Sequence, residues 1–135
     1  MIHPSQRAAP RVLVVMADQW PRALLRAALR DVGYDAIGTR TLETALRLPD
    51  VDAARGPVRL IVVDQSALGD ATGADLEAIV ARHGAPPVLL LASATVEAPA
   101  GPWRRVLRRP VSVADIVAAV ESMFPLPATA RRPLD

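Results

Sequence analysis

The sequence predicts a doubly wound α/β domain built on a five-stranded parallel sheet. Short β-branched runs alternate along the chain with segments whose apolar residues recur at helical spacing. Apolar residues make up 51% of the chain and aromatic residues only 3%. The core therefore has to be aliphatic, as suits strands buried on both faces. A length of 135 residues suffices for one such core and not comfortably for two.

Residues 1–10 read as a flexible leader. Arg11–Val15 has the composition and length of a strand, and the break at Met16–Gln19 precedes a helix. Pro21 suits that helix's first turn, Leu24, Leu25, Ala28, Leu29 and Val32 recur along it, and Gly33 stops it. Tyr34–Gly38 makes a second strand, and Thr41 caps a helix through Leu42, Ala45 and Leu46. Leu48–Pro57 is a turn-rich connection to a third strand, Val58–Val63, which ends on Asp64.

Leu76, Ile79 and Val80 mark a third helix ending near Gly84, and Pro87–Leu91 is the fourth strand. Arg105–Arg108 is a weaker fifth. Between them Pro99, Gly101 and Pro102 leave room for one helical turn at Thr95–Ala98, so a fourth helix is shortened or absent. Ser112 and Asp115 open a last helix as a capping box, with Ile116, Val117, Val120, Met123 and Phe124 on its apolar face. Residues 11–124 thus form the domain, and 125–135 read as a disordered tail.

Composition removes several functions. With no cysteine, disulfides, thiol catalysis and cysteine-ligated zinc are excluded. A net charge of +2 is too small to argue for nucleic acid. No apolar run approaches the roughly 20 residues a membrane-spanning helix needs, and no signal peptide is visible. A cytoplasmic protein is the default expectation.

Ligands of parallel α/β sheets bind beyond the carboxyl ends of the strands. That rule directs attention to Met16–Gln19, Asp64–Asp70, Ala92–Ala94 and Arg109. In these places, and across residues 11–124, the chain resembles the receiver domains of two-component response regulators. The framework of the likeness is Arg11–Val15, Arg22, Leu25, Gly33–Tyr34, Ile61–Asp64, Pro87–Leu91 and Arg109–Val117. The resemblance implies a bacterial signalling module, and arginine as the sole basic residue type fits a GC-rich bacterial genome.

The resemblance also implies a chemistry that the residues do not match. Receivers hold magnesium with two adjacent acids after the first strand; here those positions carry Met16 and Ala17, with Asp18 one place late. Magnesium wants near-octahedral oxygen ligands, which a thioether and a methyl do not supply. Asp64 holds the phospho-acceptor position, and its structural alternative is a carboxylate capping the following turn. The hydroxyl position at the end of the fourth strand falls on Ala92 or Ser93. Arg109 stands where the family has lysine, and the Arg109–Pro110 bond is implied to be cis. The family's switch aromatic aligns with Val106.

Arg104, Arg105, Arg108 and Arg109 surround the fifth strand. They suit an acidic partner or a phosphate-bearing ligand, or they form a solvated strand edge. Trp103 and Trp20 are each either an exposed binding aromatic or a packing residue, packing being preferred, with Trp103 covering the space of the missing helix and Trp20 beside the depleted pocket as a plug for it. His83 is placed against a helix dipole.

The functional expectation is an atypical receiver, a pseudo-receiver without catalytic activity and without a cofactor. It docks a histidine kinase, a regulator, a motility factor or a second copy of itself through the last helix. One alternative is a phospho-accepting regulator using Asp64 with Mg2+ and help from Asp18 or Asp70. The other is a flavodoxin-like nucleotide-binding protein, which Met16–Pro21 does not favour because it is not a phosphate loop. With no effector domain expected after residue 124, output passes through binding to another chain.

Overall fold

The computed structural model describes residues 9–49 and 51–127. Its elements run β1 (Arg11–Val15), α1 (Gln19–Val32), β2 (Asp35–Thr39), α2 (Leu42–Arg47), β3 (Val51–Asp52) and β4 (Gly56–Asp64). There follow α3 (Gly73–Arg82), β5 (Val88–Ala92), β6 (Arg105–Arg108) and α4 (Val113–Met123). Strands β2, β1, β4, β5 and β6 lie side by side in that order, every pair parallel. This is the expected doubly wound sheet. Residues 1–8 of the expected leader and 128–135 of the expected tail lie outside the described residues, while Leu126 corrects the start of that tail because it packs in the core.

Alternation along the strands builds the two halves of the core. Val12, Val14, Leu89 and Leu91 face α1 and α4, where Leu25, Leu29, Ile116 and Val120 meet them. Leu13, Val15, Ile61, Val63 and Leu90 face α2 and α3, against Leu42, Ala45, Leu76 and Ile79. Leu126 is buried in the first of these clusters, so packing continues past Phe124. The apolar stripe of α4 is therefore a sheet-facing stripe.

Local chemistry sets the helix ends. Gly33 closes α1 in the left-handed region at φ 118°, a conformation costly for residues with a Cβ. Thr41 accepts from the Thr44 N–H at the start of α2. Ser112 and Asp115 form the expected capping box of α4, and Thr72 with Asp75 repeats it on α3.

Several expectations need correction. The second strand is shifted one residue, and Tyr34 turns inward to donate its hydroxyl to the Phe124 carbonyl at 2.6 Å. The connection after α2 contains β3, which pairs antiparallel with the start of β4. Asp52 sets that turn by accepting the Ala54 and Arg55 N–H groups. No helical turn forms at Thr95–Ala98; the backbone only bends there. Leu24, placed on the apolar face of α1, is 53% exposed, and Trp20 is 76% exposed and packs nothing. His83 is buried, with Nε2 3.1 Å from the Ala45 carbonyl oxygen, and so joins α3 to α2. Its Nδ1 has no partner.

The β2 edge of the sheet is covered. Asp35 donates to the Pro10 carbonyl and Met16 donates to the Thr39 carbonyl. That alternation turns Ala36 and Gly38 outward. Arg26 and Arg30, one helical turn apart on α1, both donate to the Ala36 carbonyl, at 3.3 and 3.1 Å. The stems of Arg22 and Arg26 lie so close over Gly38 that a Cβ there would sit 2.8 Å from Arg26 Cδ. Burial and the neighbouring arginines together lower the Arg26 pKa.

Candidate functional site

The carboxyl ends of β1, β4 and β5 and the segment after β5 enclose an open cavity of about 820 Å3. Met16, Asp18, Asp64, Ser93 and Arg109 all line it. Ala92 is fully buried in the core behind it, so Ser93 is the residue that reaches the cavity. Asp70 is not among the lining residues. Trp20 is not either, so it plugs nothing.

Asp64 ends β4, buried. Its Oδ1 accepts from Arg109 Nη2 at 2.6 Å and from Arg109 Nε at 3.2 Å. Its Oδ2 accepts the Ser66 N–H at 3.1 Å and also the Ser66 hydroxyl. The acceptor position and the turn cap are therefore the same carboxylate. Arg109 follows β6 directly, and its bond to Pro110 is cis. A charge-assisted pair with a second donor set on the other oxygen is a strong arrangement for a carboxylate.

The two positions directly after β1 carry no acid, and the loop's one carboxylate is Asp18. Met16 is buried, with its side chain in the core cluster facing α1 and α4. Asp18 is exposed and precedes α1 without capping it through its side chain. The carbonyls of Met16 and Ala17 accept from Arg22 Nη1 at 2.7 and 3.3 Å, which places a guanidinium on the backbone oxygens of this loop. Among the described residues no three His, Asp or Glu side chains converge as a metal site.

The receiver fold implies magnesium, and these residues do not fit it. The ion needs several hard oxygen ligands. Here both Asp64 oxygens are engaged, the two loop carbonyls are held by a cation, and the two positions after β1 supply a thioether and a methyl. That leaves Asp18 as the one other carboxylate on the cavity wall, too few for a cluster of three acidic ligands.

The far wall of the cavity was not legible beforehand. Gln65 accepts the Ser93 N–H at 2.7 Å through Oε1 and donates to the Glu97 carbonyl through Nε2 at 3.1 Å. Arg108 donates to the Ser93 carbonyl at 2.8 Å. Ser93 Oγ accepts the N–H groups of Thr95 and Val96. This web fixes the segment after β5 in a non-helical path. Trp103 packs, as expected, on the cluster facing α2 and α3, and donates to the Pro99 carbonyl. Val106 is left 44% exposed, and Arg104 and Arg105 are exposed beside it. Only an amide placed directly after the strand-end acid hinted at Gln65.

No family model and no curated protein matches the sequence. Solved structures do match, several of them named as receiver domains and one as an adenylate cyclase. A signal receiver domain of an HD domain-containing protein from Pseudomonas fluorescens superposes with TM-score 0.68 at 18% identity, covering 86% of this chain and 94% of that one. The Vibrio cholerae chemotaxis protein CheY4 gives 0.65 at 16% identity, covering 87% and 100%. HP1043, an orphan response regulator of H. pylori, gives 0.64 at 20% identity, covering 87% and 98%. The fold of this chain is thus the receiver fold. No helix among the described residues is long and apolar enough to cross a membrane.

Proposed function

We propose that this chain is a pseudo-receiver, a bacterial signalling module that works by binding another signalling protein without phosphorylation of Asp64. A histidine kinase, a regulator or a motility factor are the partner classes, and the cytoplasm is the compartment. Signal reception is what the names of the matched structures describe; the independence from phosphate is read from this chain's own site.

The observation that carries the reading is the engagement of Asp64. A carboxylate acts as a nucleophile through a free oxygen lone pair. Phosphoryl transfer also relies on a cation to offset charge as two anionic groups approach. Arg109 holds Oδ1 and Ser66 holds Oδ2, while Met16 and Ala17 supply no carboxylate. Binding, not turnover, is then the output.

The second reading, a phospho-accepting regulator, is favoured by one fact: Asp64 stands at a strand end inside an open cavity with a cation opposite. Intact-mass analysis after acetyl phosphate with Mg2+ separates the two. The expected result is no phosphoryl adduct on the wild type and none on Asp64→Asn. A stoichiometric adduct that vanishes in Asp64→Asn overturns the proposal.

A further inference from the structure

We infer that the outer edge of β6 is a docking site for an acidic, extended segment of a partner protein, which adds to the sheet as a further strand. This rests on the reading of the chain as a binding module and names where and what it binds.

The first support is an unpaired edge. β6 pairs with β5 alone among the described residues, and backbone groups along a strand alternate in direction, so half of its N–H and C=O groups point away from β5. No helix of residues 93–104 lies over this part of the sheet, and Arg105, Val106 and Arg108 are exposed. The opposite edge differs: at β2, Arg26 and Arg30 occupy the outward Ala36 carbonyl.

The second support is a groove beside that edge. Between β6 and α4 lies an open depression of about 500 Å3 floored by Leu107, Ala118 and Ala119 and walled by Arg105 and Arg108. Small residues on α4 leave room for alternate side chains of an added strand, which is how strand addition acquires specificity.

Charge selects the occupant. Arg104, Arg105 and Arg108 gather at this strand, Arg108 giving one of its donors to the Ser93 carbonyl and keeping the rest of its fork, and the one acid lining the groove, Asp115, is engaged by the Ser112 N–H. A second copy of this chain would set arginine against arginine across the new pair, which is unfavourable. Carboxylates on an incoming strand would meet guanidinium forks.

The test uses the full chain and a synthetic peptide of about six residues alternating Glu and Val, with a Lys/Val peptide as control. The Glu/Val peptide should bind with an affinity that falls as salt rises. It should protect from exchange the alternate amides within Arg105–Arg108. Arg105→Glu with Arg108→Glu should weaken binding by at least about tenfold, while Asp64→Asn leaves it unchanged. Arg105→Gln with Arg108→Gln serves if the reversal does not fold, with a smaller loss in the same direction. Equal binding of the Lys/Val peptide, protection that maps elsewhere, self-association through β6, or no binding would each overturn the inference. A phosphoryl adduct on Asp64 would sink the pseudo-receiver reading without altering these peptide results.

Discussion

The Asp64–Arg109 pair makes a quantitative prediction. An exposed ion pair contributes about 0.2–1 kcal/mol, and removing one partner of a fully buried pair costs about 3–5 kcal/mol. The Asp64 side chain is 7% exposed and that of Arg109 is 37% exposed, so water screens one end of the pair and not the other. The coupling between them therefore lies at about 1–2 kcal/mol. A double-mutant cycle measures it: urea unfolding of the wild type, Asp64→Asn, Arg109→Gln and the double variant. The Ser66 donors are present at every corner of that cycle, so their contribution largely cancels. Equal m-values across the set would license the comparison. A coupling under about 0.5 kcal/mol, below what contacting residues ordinarily show, would refute the claim that Arg109 clamps the acceptor carboxylate.

Two further outcomes follow from pairs away from the cavity. Arg55 donates two bonds of 2.7 Å to Asp35, and this holds the Asp35 pKa below its ordinary value. A depressed folded pKa gives stability that is present above the unfolded value of about 3.9 and is lost as pH falls through the lower folded value. Asp35→Asn should therefore cost about 0.5–1 kcal/mol at pH 7 and progressively less as pH falls below about 3.9, read from urea midpoints at pH 7 and across the acid range. Tyr34→Phe removes the donor to the half-buried Phe124 carbonyl and should cost about 0.5–1.5 kcal/mol; an unchanged melting temperature would show that this bond does not tie the end of α4 to the rest of the domain.

Much of the fold was readable because its signals are local. The runs at Arg11–Val15 and Pro87–Leu91 are too short and too apolar for surface helices; Thr41 and Ser112 carry their cap chemistry in their own side chains, and Gly33 caps by having none. What escaped was set by distance or by phase. Trp20 and Leu24 are apolar, yet Leu25 and Leu29 define the buried face of α1 and leave the other two pointing to water. β3 is only two residues long, below the reach of any periodicity.

The cavity divides in the same way. Met16, Asp64 and Arg109 were placed by their strands. The bonds from Gln65 to Ser93 and Glu97 join residues 28 and 32 apart and leave no pattern along the chain. Between Ala92 and Ser93, the end of β5 decided: Ala92 is the last residue of the strand, and Ser93 is the first free of it.

The arginines laid over Gly38 have one more effect. Arg26, together with Arg30, occupies the outward Ala36 carbonyl, which disfavours strand addition at β2 and leaves β6 as the more open margin among the described residues. Such a unit has a valence of one. On the docking proposed for β6, a captured strand would end the series at a pair, and propagation into fibrils, which requires two open margins on every subunit, would be disfavoured.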